Sequence, residues 1–314
     1  MSNLFISSRV VAKSKNVVTG DTITTFELVY PRIIHAELLT HRLFSRNTAS
    51  SRAVPVKKMI ERVENMLFVP EYWGKNQSGM QAYQEIDSTV AEEARLLWIE
   101  AATNALDSSR KLADLKVHKQ LANRLTEPFQ YIQVVLTSTC FRNWFRLRDH
   151  EAAQPEIRAL AQSMKVAYED YTADELVPGE WHLPYVYPYG EHEEEALFTL
   201  EKKQLMSVAR CARVSYFLRD GGRSDPSKDV VLARRLLNEL HMSPFEHPAC
   251  ATPNKCMIGN FNGFMQLRKF IMGENNGDLY NYSPFLSPYE ANELMGGYYQ
   301  VDNLIQEVQN ESNS

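Results

Sequence analysis

The stretch TITTFELVYPRIIHAELLTHRLFSRNTASSRAVP, Thr22–Pro55, changes character twice. Its first nine residues put Phe26, Leu28 and Tyr30 on one face at period two, which predicts a strand ending at Pro31. IIHAELLTHRLFS, 33–45, then places Ile34, Leu38 and Leu39 on one side, which predicts a helix. From His41 to Lys58 there are five Lys or Arg and no Asp or Glu, with Ser45, Asn47, Thr48, Ser50 and Ser51 between them. On the predicted helix Arg42 and Arg46 lie one turn apart, and Ser50 and Arg52 follow where Ser, Asn and Thr favour a turn. Guanidinium forks with hydroxyls and backbone N–H groups suit a phosphate monoester or a dinucleotide. The same residues also fit a solvated basic face with capping hydroxyls.

Working outward, VPVKKMIERVENML carries Val56, Met59, Ile60, Val63 and Met66 at helical spacing. A longer helix is predicted over about Glu85 to Leu106, with Val90, Ala94, Leu97, Trp98 and Ala101 as its stripe. PFQYIQVVLTST is extended and β-branched. AQPEIRALAQSMKVAYEDY is a helix with Pro155 in its first turn, where a missing N–H costs nothing. Val177–Gly190, rich in Pro, Gly and aromatic residues, predicts an ordered loop or crossover, and helical texture resumes at Glu191. DVVLARRLLNELHMSPFEH predicts a helix capped near Ser227 and stopped by Pro244, and the polar tail after Gln300 predicts fraying. No internal repeat is present.

Two further stretches can carry chemistry. In NWFRLRDHEAAQPEIR, Asn143–Arg158, polar residues interleave with Trp144, Phe145 and Leu147. Arg148 beside aromatic residues could reach a flat heterocycle or an anion; an amphipathic helix with polar residues outward is the plainer alternative. In HMSPFEH, His241–His247, the histidine spacing fits neither an i, i+4 pair nor a zinc-finger pattern, so no metal is expected. His241, Ser243 and Glu246 facing a polar ligand, or a buried histidine without a functional role, both remain open.

Composition limits what such sites can serve. The chain has 314 residues, 44% hydrophobic and 23% charged, with a net charge of −5. That is an ordinary globular composition, and it disfavours a nucleic-acid or anionic-membrane partner, so anion binding must come from a local cluster. No run of about 18 apolar residues predicts a spanning helix, and the first twenty residues lack a secretory h-region. Cys140, Cys211, Cys250 and Cys256 form no C-x-x-C pair and are expected to be reduced thiols in a cytoplasmic protein.

Taken jointly, the three stretches resemble the flavin-dependent thymidylate synthases. That family's signature, Arg-His-Arg, seven residues, then Ser, corresponds here to Thr40-His41-Arg42 and Ser50, with Ser45, Asn47 and Arg52 in register. Asn143, Leu147-Arg148 and Ala153-Gln154-Pro155-Glu156-Ile157 match a second family helix. Ala212-Arg213-Val214-Ser215 and His241–His247 match the family's ARVS helix and its Pro-Phe-Glu-His turn. In the family those last two motifs precede the arginine motif; here they follow it, which implies a circular permutation with the arrangement kept in space.

The resemblance implies an α+β fold: a single domain with a central antiparallel sheet flanked by helices, its motif order permuted. It would divide into an arginine-motif and nucleotide half (1–176), a Pro-rich crossover (177–190), a permuted flavin-binding segment (191–300) and a tail (301–314). By the same resemblance His41, Arg42, Asn143, Ser215, His241, Ser243 and Glu246 would hold FAD. Ser50, Arg52 and Arg124 would take the nucleotide phosphate, and Arg148 the pyrimidine ring. Arg148 and Ser50 are then the catalytic candidates, with Ser50 not a covalent nucleophile, since no base adjacent in sequence activates it. The implied reaction is C5 methylation of dUMP to dTMP by a homotetramer with shared sites, using methylenetetrahydrofolate and NADPH.

Three positions depart from the family pattern. Thr40 stands for the first Arg, Thr48 for a Glu beside the nucleotide, and Ala152 for a His, with His150 two residues earlier. A related flavin enzyme that methylates or hydroxymethylates UMP or dCMP is therefore an alternative. A non-catalytic nucleotide- or RNA-binding module is a remoter one, disfavoured by the net charge.

Overall fold

Strand β1 (Ser7–Asn16) pairs antiparallel with β2 (Thr22–Pro31), which carries the alternation of Phe26, Leu28 and Tyr30. The structure, a computed structural model, describes residues 4–190, 192–213, 225–255 and 257–271. After β2 a helical turn leads into α1 (His35–Leu39), and β3 (Ser45–Thr48) follows. The helix expected through residue 45 therefore ends at Leu39. Arg46 lies on a strand, not one helical turn from Arg42, because residues 45–48 take their backbone partners from β4, a non-local pairing that local periodicity does not report.

Next come α2 (Val56–Asn65), α3 (Ser88–Asp114), α4 (Lys119–Ala122), β4 (Tyr131–Ser138), α5 (Arg142–Arg148), α6 (Pro155–Asp170) and the short strands β5 (Asp174–Leu176) and β6 (Trp181–His182). The remaining elements are α7 (Leu200–Ala212), α8 (Pro226–Asn238), β7 (Ala249–Ala251), β8 (Met257–Ile258), β9 (Phe261–Asn262) and β10 (Phe264–Gln266).

Five strands form the central sheet in the order β3-β4-β2-β1-β5, antiparallel except where β5 runs parallel to β1. One face carries Phe26, Leu28, Tyr30, Val134 and Leu136 against Trp144 of α5 and Leu160 and Met164 of α6. The opposite face carries Thr25, Val135 and Thr137 toward the C-terminal part of the chain. This is an α+β fold with a helix-flanked sheet, as the sequence implies.

The expected stripe on α3 is corrected. Val90 is 49% and Leu97 61% exposed, whereas Ala102, Leu106 and Ser109 are buried. Among the described residues α3 is covered mainly from Trp98 onward, where Ala102 and Leu106 meet Ile60 and Val63 of α2 and Phe129. Trp98 meets Phe68, whose carbonyl accepts its indole N–H. Helix α8 is capped by Asp225, whose carboxylate accepts from the Ser227 amide, rather than by Ser227. It ends at Asn238, before the expected stop at Pro244, and Leu240 two residues on adopts φ 59°. The Pro-rich 177–190 segment is ordered: it supplies β6 and buries Leu183, Tyr185 and Val186.

The second sheet, β10-β7-β6, lies over the central one in a matched register. Thr25, Thr137 and Ser45 sit directly across from one another on β2, β4 and β3. Above them His182 and Gln266 flank Ala249 across β6, β7 and β10. His182 Nε2 hydrogen-bonds Thr25 Oγ1 at 2.8 Å, His247 Nδ1 bonds Thr137 Oγ1 at 2.8 Å, and Gln266 Nε2 donates to Ser45 Oγ at 2.8 Å. Thr25 and Thr137 are themselves joined at 2.7 Å. His182 Nδ1 also meets Ser14 Oγ at 2.8 Å, so both of its ring nitrogens are bonded, whereas His247 is held through Nδ1 alone and its buried Nε2 has no hydrogen-bond partner among the described residues.

Candidate active site

The turn after α1 brings the arginine motif to the rim of the central sheet. His41 is buried edge-on against Trp144, with ring centroids 4.8 Å apart, and is stacked on Phe44. Arg148, the last residue of α5, donates from Nε to His41 Nε2 at 3.1 Å. That nitrogen must then be bare, so the neutral ring carries its proton on Nδ1. Burial, and after it the nearby Arg148 and Arg46 charges, push the His41 pKa down to about 4. The imidazole therefore serves at neutral pH as an uncharged acceptor that aims Arg148.

Arg46, half-buried on β3, donates to the carbonyls of Leu39 at 2.9 Å and His41 at 3.4 Å. It also feels the Glu246 carboxylate, which offsets part of the cost of burying its charge. Glu246 in turn accepts from Arg268 at 2.5 Å. Beside them Asn47 ties three chain segments together. Its Nδ2 donates to the Cys211 carbonyl at 2.8 Å, at the end of α7, and its Oδ1 accepts from Ser243 Oγ at 3.0 Å. The late motif is thus seated on the arginine motif about two hundred residues upstream.

Ser50 caps the short turn 51–53 by accepting from the Arg52 amide at 3.3 Å, and the Arg52 side chain is exposed. Asn123 holds this turn with bonds to the carbonyls of Ser51 at 2.7 Å and Val54 at 2.9 Å, which places Arg124 of the following turn beside it. Arg124 reaches Glu127 through long contacts of 3.3 Å, while Glu127 is held more tightly by Arg32 at 2.9 Å and Ser51 Oγ at 2.7 Å. Arg124 can therefore turn to another anion without leaving Glu127 uncompensated.

The structure thus joins His41 with Arg148, and Asn47 with Ser243, and draws Glu246 toward Arg46. Asn143, His241 and Arg42 are all exposed on the surface, with His241 near Glu239 at 3.5 Å. Ser215 lies outside the described residues, as do Cys256 and the tail beyond Gln300. The three described cysteines are free thiols. His150 accepts from the Ala152 amide at 3.1 Å in an exposed turn. Sequence reading missed Asn123, Glu127, Asn260 and Gln266; as isolated Asn, Gln and Glu residues outside any spacing pattern, they carry no local signal. A cavity of about 530 Å³ elsewhere, lined by Arg213, Ser227, Lys228, Val231, Leu232 and Arg235, includes none of the joined residues. No described helix is long and apolar enough to cross a membrane.

Comparison with known proteins bears on this arrangement. No curated protein matches the chain. Two crystal structures of the UMP/dUMP methylase PolB from Streptomyces cacaoi, bound with 5-Br dUMP and 5-Br UMP, share 17% and 18% identity with it. Each covers 52% of this chain, and the match takes in 90% and 89% of theirs, with a TM-score of 0.44 for both. Residues 12–170, which hold the arginine motif, Arg124 and Arg148 but not the late motif, match the family described as thymidylate synthase complementing protein. The chain therefore belongs to that family, the flavin-dependent thymidylate synthases its motifs resemble, and is a thymidylate synthase-like methyltransferase.

Proposed function

We propose that the protein is an FAD-dependent enzyme that methylates C5 of dUMP to give dTMP, with methylenetetrahydrofolate as one-carbon donor and NADPH as reductant. The observation that carries this reading is the junction at Asn47, which unites the arginine motif, the end of α7 and the Ser243–Glu246 turn at one place. That junction supports a permuted motif order, with residues 207–248 taking the place in space that they hold upstream in the family. It also supports the division into a 1–176 half, a 177–190 crossover and a 191–300 segment.

The donor set fits the group. An anionic dinucleotide is matched by Arg42 and Arg46, with neutral His41 and the hydroxyl of Ser243 beside them. His41, Arg42, Ser243 and Glu246 would hold FAD, joined by Asn143, His241 and Ser215. Reduced FAD supplies the redox chemistry of the transfer when bound. Ser50, Arg52 and Arg124 would take the 5′-phosphate, Arg124 turning away from Glu127. Arg148, aimed by His41, would stabilise negative charge on the pyrimidine as C5 becomes nucleophilic, the preorganised electrostatic help that favours the transition state. Thr48, half-buried on β3 where the family has Glu, favours a second reading in which the nucleotide is UMP or dCMP, or the group added is hydroxymethyl.

The exposed apolar side of α3, with Val90, Leu96 and Leu97, supports a homotetramer that builds its sites from several subunits. A cytoplasmic setting and small-molecule partners, without nucleic acid or membrane, complete the reading.

The test is optical. The purified protein is expected to show flavin bands, and dUMP, UMP, dCMP and CMP are titrated against them before assay with methylenetetrahydrofolate and NADPH. No flavin uptake after incubation with FAD defeats the proposal. A C5-modified product from another nucleotide but not from dUMP defeats the thymidylate assignment alone.

A further inference from the structure

We infer that Asn260 and Gln266 are positioning residues for the arginine-motif turn, set from a segment that lies outside the residues matching the family. This rests on the function proposed above. The turn between His41 and Arg46 must hold its backbone, since His41 aims Arg148 and Arg46 lies beside Glu246. Its central carbonyl, Leu43 O, accepts from Ser138 Oγ at 3.0 Å on one side and from Asn260 Nδ2 at 3.3 Å on the other. Asn260 Nδ2 also donates to Ser45 Oγ at 3.0 Å, and Gln266 Nε2 donates both to Ser45 Oγ and to Asn260 Oδ1, each at 2.8 Å. Two primary amides from the C-terminal segment thus grip one carbonyl and one buried hydroxyl, on either side of Phe44.

The grip is built and not incidental. Asn260 sits at the tip of the β8–β9 hairpin, which needs Gly259 at φ +70°, where a Cβ would lie 3.1 Å from Gln266 Oε1. Gly263, at φ +67°, brings the next turn so close that a Cβ would lie 2.5 Å from Thr19 Oγ1. Asn16 Nδ2 fixes that turn through the carbonyls of Thr252 and Gly263, both at 2.8 Å, and Thr139 Oγ1 accepts from the Asn262 amide at 2.9 Å. The hairpin is anchored on the central sheet on both sides of Asn260, so the amide is a fixed donor that cannot follow the turn if the turn moves.

Asn260→Asp tests this, because it keeps shape and the acceptor for Gln266 but cannot donate to Leu43 O. Hydrogen–deuterium exchange of the unliganded full chain is expected to rise at least tenfold across 43–48 while β1 and β2 keep their protection. The Kd values for FAD and nucleotide are expected to rise about three- to tenfold, and Gln266→Ala should act in the same direction. A melting temperature shift without faster exchange at 43–48 overturns the inference. So does faster exchange with both Kd values unchanged in a protein whose wild type binds flavin and nucleotide. A wild type that binds neither defeats the proposed function instead, and the exchange result still decides whether the two amides hold the turn.

Discussion

Two regions of this molecule are built on arginine and use it in opposite ways. Between α7 and α8, the α7 residue Arg210 is buried: Nη1 and Nη2 reach Glu195 at 3.0 and 2.6 Å, Nε reaches Asp229 of α8 at 3.0 Å, and Nη1 also donates to the Tyr185 carbonyl at 2.7 Å. Both carboxylates are buried, and Arg213 meets Asp229 as well. Residues 41–58 hold five cations and no acid of their own, and Arg42 and Arg52 stand in solvent. Where acids match the bases and water is excluded, the charge is structural. Where bases exceed acids at a rim lined by backbone and hydroxyl donors, the surplus is available to a ligand.

The sharpest way to break that contrast is to remove a cation from each side. Arg210→Met leaves the buried Glu195 carboxylate without its cation and Asp229 with Arg213 alone, and is expected to cost about 3–5 kcal/mol of folding stability by denaturant titration. A loss no larger than that of an exposed substitution would mean that the network is not structural. Arg148→Ala should barely change stability yet lower turnover about a hundred- to a thousandfold, as removal of one preorganised donor does, with a smaller change in nucleotide affinity. An equal loss in Kd and none in kcat would make it a ground-state binder. Arg52→Ala should raise the nucleotide Kd about ten- to a hundredfold, equivalent to the roughly 1.5–3 kcal/mol of a charge-assisted bond, and leave flavin bound. Its effect on stability should stay within about 0.5 kcal/mol.

Acid sharpens the comparison from the side of the seam. Burial holds His247 down to about 3, and burial with a smaller contribution from the neighbouring His247 holds His182 down to about 3 as well. Each binds a proton in the unfolded chain near pH 6.5 but not in the folded one. Their contribution is therefore complete above about pH 6.5 and is lost as pH falls toward 3, at up to about 1.4 kcal/mol per pH unit for each ring. Unfolding free energies measured between pH 7 and 4 should fall along that slope. Thr137→Val, which leaves His247 Nδ1 without its hydroxyl, should lower the whole curve by about 1–3 kcal/mol.

What could be read from sequence follows how local each cause is. Strands β2 and β4 and helices α2 and α6 were legible because alternation, helical spacing and the Pro155 start lie within the element itself. The motif spacings marked His41, Arg148, Asn47 and Ser243 before their contacts were visible. Helix α1 was overextended because its apolar spacing continues past Leu39, while the partner that turns 45–48 into a strand sits on β4. The apolar stripe on α3 misled for a similar reason: period reports which residues share a face, not whether another element covers it.

The amino-acid sequence by itself determined the family, the helix-flanked sheet and the identity of the cations, since these rest on residue type and short spacing. Only the tertiary structure decided that His41 is a neutral acceptor for Arg148, that Glu127 stands ready to release Arg124, and that His182, His247 and Gln266 close over Thr25, Thr137 and Ser45. Those contacts join residues a hundred or more apart, or depend on where a side chain finds itself once water is excluded. Burial sets the pKa and register sets the partner, and neither exists until the two sheets have met.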